Sequence, residues 1–248
     1  MSFGAIAEDY DRLRTGPPDE AVDWLVPAGC QVAVDLGAGT GLLTRALARR
    51  VPQVVAVEPD SRMAAVLRAR SGGFGAVRVA QGRGEAIPLP DASADGVFVS
   101  SAWHWLDQER APQEIARVLR DGGRLGVIWT GRDRSVDWVR EIETLRDGVA
   151  RRAGESQDGW ARRRSQATLP EGLFGSIESA SFTFSRQMAA TDFVDMLATY
   201  SGTITASPQE RDVTLARARA ALERRFPGAA EIDVPMRSWC FRASRLPR

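Results

Sequence analysis

The sequence predicts an α/β fold in which a mostly parallel sheet carries helices on both faces. Three observations predict it. Short β-branched runs alternate with helix-like stretches from Gln31 to Trp129, the pattern of successive strand–helix–strand units. A glycine-rich turn, Gly37-Ala38-Gly39-Thr40-Gly41, stands between the first such run and the helix that follows. The second run ends on Glu58, 21 positions after Gly37, where a carboxylate at a strand end reaches the sugar of a nucleotide-like ligand.

The elements follow in order. Phe3, Ile6, Tyr10 and Leu13 recur at helical spacing. Pro17 and Pro18 open a second helix with Asp19 and Glu20 in its first turn and Val22, Leu25 and Val26 on its apolar face, and Pro27–Gly29 closes it. Gln31–Leu36 reads as a strand, Leu42–Arg50 as a helix and Gln53–Val57 as a second strand. Ser61 is the expected cap of a helix over Arg62–Arg70. Ala76–Ala80 and Gly96–Ser100 read as the third and fourth strands, the latter entered from Asp91–Asp95. A helix over Gln108–Leu119 is expected to stop at Asp121-Gly122-Gly123, ahead of a fifth strand over Arg124–Trp129. Beyond about Arg132 the alternation weakens. Ser135–Arg152 and Thr214–Arg225 read as long charged helices, and Ile177–Arg186 and Asp233–Arg242 as strands. The Arg162–Arg164 run suits a solvated helix face or an anionic contact.

The loop carries the chemical argument. A sharp turn after a buried strand needs glycine where φ is positive, and a ligand lying against backbone needs positions without Cβ. A helix starting near Thr40 directs the positive end of its dipole at the loop, which favours an anionic group there. A dinucleotide places its pyrophosphate over G-x-G-x-x-G; here the third glycine comes one residue early, at Gly41, with Leu42 in its place. That departure favours S-adenosylmethionine, whose methionine end lies over such a loop, with Asp35 and Gly37 placed for the amine and Thr40 for the carboxylate.

Composition bounds the remaining classes. The 248 residues suit one α/β domain with an appendage. A net charge of +1 gives no global field for nucleic acid or an anionic membrane. Cys30 and Cys240 show no metal-ligand spacing. Met1–Tyr10 lacks the apolar region of a signal peptide, and no apolar run approaches the roughly 18 residues of a membrane span. A cytoplasmic protein without a metal site is expected.

Several segments together resemble the class I S-adenosylmethionine-dependent methyltransferases, and within them a branch similar to the trans-aconitate methyltransferase-like (type 11) small-molecule enzymes. They are Phe3-Gly4 with Tyr10–Arg14, the Val34–Thr44 loop, Val57–Asp60 with Met63, Gly82–Asp91, Ala102–Asp107 and Ala116–Leu125. The resemblance implies a Rossmann-like seven-stranded sheet whose last strand, Asp233–Arg242, is antiparallel. It divides the chain into N-terminal lid helices (1–29), an S-adenosylmethionine-binding core (30–132) and a C-terminal part (133–248) that completes the sheet and covers the acceptor pocket. It implies that Glu58 holds the ribose and that Pro59 and Met63 pack on the adenine. Gly84 and Glu85 would lie near the adenine edge, with Ser100 and Ser101 flooring the site. Ala38 and Gly39 would lie in the loop under the methionine end, over which Tyr10 and Arg14 close. Arg14 suits a carboxylate through its planar fork, or is a surface charge. Arg83 departs from the acidic or small polar residue many relatives carry, and it cannot accept from the adenine amino group. That task falls to backbone carbonyls or Glu85.

For the acceptor, His104 is the sole histidine and follows the fourth strand at the ligand edge of the sheet. Its ordinary pKa of about 6.5 suits a general base, though it could equally shape the Trp103-His104-Trp105 segment. Trp103, Trp105, Trp129 and Trp138 suggest an apolar or planar acceptor, or are core. Trp160 and Tyr200 fall in the C-terminal part, where such enzymes build acceptor pockets. The sequence after the fourth strand, Ser100-Ser101-Ala102-Trp103, is not the Asn/Asp-Pro-Pro-Tyr of adenine methylation, and no cysteine suits cytosine attack. The expected function is therefore methylation of a small molecule on O, N or C. A cofactor-binding descendant without transfer and, behind it, an NAD-dependent oxidoreductase are the alternatives. The oligomeric state stays open, a homodimer being one option.

Overall fold

A computed structural model describes residues 3–152, 169–200, 203 and 206–247. Seven strands form one sheet: β1 (Val32–Leu36), β2 (Gln53–Val57), β3 (Val77–Ala80), β4 (Ala94–Ser100), β5 (Leu119–Arg132), β6 (Glu178–Ala189) and β7 (Glu231–Ser244). Their order is β3-β2-β1-β4-β5-β7-β6. The helices are α1 (Ala7–Leu13), α2 (Asp19–Leu25), α3 (Leu42–Ala48), α4 (Ser61–Ser71), α5 (Arg110–Val118), α6 (Asp137–Arg152), α7 (Ala190–Ala198) and α8 (Pro208–Arg225). The expected seven-stranded sheet is present.

β1 pairs in parallel with β2 and β4, β2 with β3, and β4 with β5. The direction of β7 follows from its hydrogen bonds. Gly122 N donates to Arg245 O at 3.1 Å and Asp133 N donates to Pro235 O at 2.8 Å, so numbering falls along β7 as it rises along β5. β7 is antiparallel, as expected, and longer at both ends than Asp233–Arg242. Gly175 N to Ser244 O and Ala190 N to Ala230 O show the same reversal between β7 and the ends of β6, which therefore runs with β1–β5.

The chain folds as two compact units. One comprises Gly16–Thr130, Ala167–Phe182 and Ser238–Arg248; the other Met1–Thr15, Gly131–Gln166 and Thr183–Arg237. β5, β6 and β7 supply residues to both.

In the first unit, β1 is a central strand, and its run Val32-Ala33-Val34 with Leu36 fits burial on both faces. Asp95 Oδ2 accepts from the amides of Gln31 and Val32 at 2.9 and 2.8 Å, pinning the strand's start. On one face Ala33, Val54, Phe98 and Ile128 pack with Ala21, Val22 and Leu25 of α2 and Leu43, Ala46 and Leu47 of α3. Cys30 and Cys240 are free buried thiols in this cluster, as small apolar groups would be.

In the second unit a core of Leu13, Ile142, Phe193, Val194, Leu197, Leu222 and Val234 gathers α1, α6, α7 and α8 around part of β7. α8 carries a capping box in which Ser207 Oγ accepts from Glu210 N.

Other boundaries differ from the sequence reading, three of them at caps or turns. The cap of α4 is Asp60, whose Oδ1 accepts from Arg62 N at 2.9 Å; Ser61 is the first helical residue. Asp121-Gly122-Gly123 lies inside β5 rather than stopping α5. Leu119 pairs with Ala94 and Arg124 with Gly96, so the residues between form a bulge, with Gly122 at φ 75°. α8 begins at Pro208, two turns before Thr214. The Arg162–Arg164 run and Trp160 lie outside the described residues.

Candidate functional site

The glycine loop leaves β1 at Leu36, in the first unit. Gly37 N and Ala38 N both donate to Val57 O, at 2.9 and 3.1 Å, so the end of β2 holds the turn. These amides are spent on β2 rather than turned toward a ligand. Gly37, Gly39 and Gly41 all have positive φ (70°, 58° and 89°). A Cβ on Gly37 would stand 2.7 Å from Ala102 Cβ, so loop and β4 end approach as only glycine permits. Gly41 N donates to Ala38 O at 2.9 Å, closing the turn into α3.

Two side chains under the loop are buried with polar atoms unspent. Asp35 is fully buried; Thr44 Oγ1 donates to its Oδ2 at 2.6 Å, while Oδ1 has no partner among the described residues. Thr40, 1% exposed, likewise leaves its Oγ1 without one. Burial, reinforced by the nearby Glu58 charge, pushes the Asp35 carboxyl up to about 7.

Glu58 stands at the end of β2, nearly buried. Its Oε2 accepts from Gly39 N at 2.8 Å and its Oε1 from Asp60 N at 2.9 Å. Burial raises its pKa, and these two amides oppose the shift. Each oxygen accepts one amide, which leaves acceptor capacity for a pair of hydroxyls. Met63 is buried on α4, with its Cε 3.8 Å from where a Gly39 Cβ would sit. Pro59 is exposed. A carboxylate with spare acceptor capacity, a buried acid and a buried hydroxyl beside a glycine turn suit the ribose, ammonium and carboxylate of S-adenosylmethionine, so the residues present fit that group.

The β4 edge completes the arrangement. Ser100 pairs with Ile128, and Ser101 N donates to Ile128 O at 2.8 Å. Ser101 has φ 55°, an uncommon backbone for a non-glycine residue and the kind of strain that gathers at functional sites. A 3-10 turn over Trp103–Trp105 follows. Gln108 Nε2 staples it, donating to Trp103 O at 2.9 Å and Leu106 O at 2.8 Å. His104 is half-buried with its ring centroid 4.9 Å from that of Trp105. Gly84 is buried, and a Cβ there would strike Leu106 at 2.7 Å. Glu85 Oε1 accepts from Asp107 N at 2.9 Å, so this carboxylate secures the turn.

The aromatic group divides. Trp103 and Trp129 are buried against Phe241, with centroids 5.6 and 5.9 Å away, and are core. Trp138 packs on Phe193 and Phe226 in the second unit. Trp105 is 64% exposed. Tyr10 and Arg14 belong to the second unit. There Arg14 Nε donates to Thr199 Oγ1 at 3.0 Å and Nη2 to Thr199 O at 2.9 Å, and its guanidinium lies 3.5 Å from the Tyr200 ring centroid.

Two residues at the loop escaped the sequence reading. Thr44 orients Asp35, and Arg45 Nη1 donates to Thr40 O at 2.9 Å. The available signal was a buried hydroxyl one turn into an otherwise apolar helix face.

The chain is similar to known methyltransferases. Residues 34–127 match the family model described as a methyltransferase domain. An uncharacterised methyltransferase of Mycobacterium tuberculosis (strain H37Rv) is 39% identical over 98% of this chain and 96% of its own. A methyltransferase-like protein of Schizosaccharomyces pombe is 30% identical over 81% of this chain and 77% of its own. A solved structure from Anaeromyxobacter dehalogenans, described as a candidate type II methyltransferase, shares the fold at TM-score 0.68. It is 24% identical and covers 95% of this chain and 99% of its own. A candidate methyltransferase of an antibiotic biosynthesis pathway from Anabaena variabilis shares it at TM-score 0.58, with 21% identity over 89% and 95% of the two chains. With a relative this similar over nearly the whole length, the chain belongs to the class I S-adenosylmethionine-dependent methyltransferases.

Proposed function

We propose that this methyltransferase acts on a small-molecule acceptor and that His104 is its general base. The observation that carries the reading is the β4 edge: the sole histidine stands half-buried in a stapled turn, directly after the strained Ser101. The sulfonium of S-adenosylmethionine supplies an activated methyl group, which an acceptor lone pair displaces in line, releasing S-adenosylhomocysteine. The protein's share is alignment and exclusion of water, with proton removal where the acceptor needs it.

The reading assigns a role to each residue. Glu58 takes the ribose hydroxyls, Asp35 the ammonium and Thr40 the methionine carboxylate, with Gly37, Ala38 and Gly39 forming the floor of that end. Met63 and Pro59 border the adenine, with Gly84 and Glu85 near its edge. Ser100 and Ser101 line the floor beneath the transferred group. Tyr10 and Arg14 are assigned to the lid. A neutral overall charge and the absence of base-methylating motifs after β4 favour a small acceptor over nucleic acid.

The test is transfer of a labelled methyl group into cell extract. Label in the dialysable fraction is expected; label confined to protein or nucleic acid would contradict the reading. For the base, His104→Ala should cut turnover at least about tenfold while donor binding stays within about twofold. Near-normal turnover would reduce His104 to a residue that shapes the turn.

A further inference from the structure

Arg132, at the end of β5, is, among the described residues of the second unit, the most deeply placed cation whose donors are not all used. Its side chain is 1% exposed. Nη2 forms an ion pair with Glu143 of α6, itself 4% exposed, while Nε and Nη1 have no hydrogen-bond partner among the described residues. Its guanidinium carbon stands 4.5 Å from the Tyr200 ring centroid and 5.5 Å from that of Phe193. Arg14 approaches the same Tyr200 ring, and its hydrogen bonds go to the neutral oxygens of Thr199. Thr203, 1% exposed, adds a buried hydroxyl with no partner among the described residues.

Two guanidinium groups therefore share one aromatic ring, and Glu143 is the carboxylate paired with Arg132. Burying a cation whose donors are unspent is costly, and a second, half-buried cation close by adds repulsion. Stacking on Tyr200 orients the planar groups and offsets only part of that cost. An oxyanion would meet the open donors and neutralise the excess charge through charge-assisted hydrogen bonds.

We propose that Arg132 anchors an anion-binding site in this unit, with Arg14 as its second positive group, and that the site takes a carboxylate or phosphate ligand. The proposal stands on the residues of this one unit and is independent of the reading of the acceptor. Arg132 binds here as a specificity residue, with Tyr200 holding both cations in place.

The test uses the full chain and two probes, citrate and inorganic phosphate, in thermal-shift titrations at matched ionic strength. One probe should raise the melting temperature saturably, and which one does so separates carboxylate from phosphate recognition. Arg132→Met combined with Glu143→Leu removes the pair without leaving a buried unpaired charge, and Arg132→Lys serves as a second variant. Both should weaken the apparent affinity at least about tenfold, the scale of a lost hydrogen bond to a charged group, while S-adenosylhomocysteine binding is kept. An equal response in wild type and variants would overturn the proposal, as would no saturable response in the wild type. Loss of S-adenosylhomocysteine binding in both variants would also overturn it, because the recognised carboxylate would then be the donor's.

Discussion

In the proposed donor site, the buried acid Asp35 would couple binding to pH. Burial pushes its carboxyl from an ordinary 3.8 up to about 7, so the folded protein holds a proton there that the unfolded chain releases. Between those values the folded state binds more protons, so this group's contribution to stability falls as pH rises toward about 7. An ammonium ligand favours the ionised form and draws the proton off. Affinity for S-adenosylmethionine should therefore weaken about tenfold from pH 8 to pH 6. Asp35→Asn, which still accepts from Thr44, should lower the affinity and flatten this dependence; calorimetric titration across that range decides it, and an unchanged slope in the variant would assign the dependence to another group. At this scale the sequence was informative where backbone chemistry limits the choice. The glycines at Gly37, Gly39 and Gly41 and the acid at Glu58 were legible because few residues can occupy those positions. The partnership of Thr44 with Asp35, and the use of Glu85 to hold Asp107 N, were not, because both depend on contacts between separate elements.

The central strands show what packing demands of an element. Phe98 pairs with Gly126 across β4 and β5, and Gly96 precedes it on the same face. A Cβ would stand 2.8 Å from Phe98 Cδ1 at Gly126 and 2.5 Å from Phe98 Cζ at Gly96. The ring thus lies where two side chains are missing, closing the sheet against Leu25 of α2. Gly126→Ala should cost about 1–3 kcal/mol through overpacking, read as a lower denaturant midpoint with an unchanged slope; a neutral result would show that Phe98 can move aside. The strands themselves were legible from β-branched runs. Their ends were less so, because β5 continues through a bulge that reads locally as a helix stop. For α8, the true start is marked by the Ser207-Pro208-Gln209-Glu210 capping box, ahead of the expected Thr214.

At the scale of the whole molecule, the seven-stranded sheet and the antiparallel β7 were anticipated through the family resemblance, while the strand order was not, since short-range pattern alone does not fix which strands neighbour one another. The weaker alternation after Arg132 marks residues that enter both units, where helix-rich packing replaces the repeating strand–helix pattern. With a net charge of +1, the chain has no general attraction for polyanions, so binding to random duplex DNA should be negligible at low salt; salt-sensitive binding in a gel-shift assay would reopen a nucleic-acid acceptor. The central claim is that the Gly37–Gly41 turn with Glu58 holds the methyl donor. Isothermal titration of S-adenosylhomocysteine into wild type and Gly39→Arg tests it most directly. The account predicts one site per chain in the wild type and none in a variant that remains folded by circular dichroism; equal binding in the two proteins would contradict it.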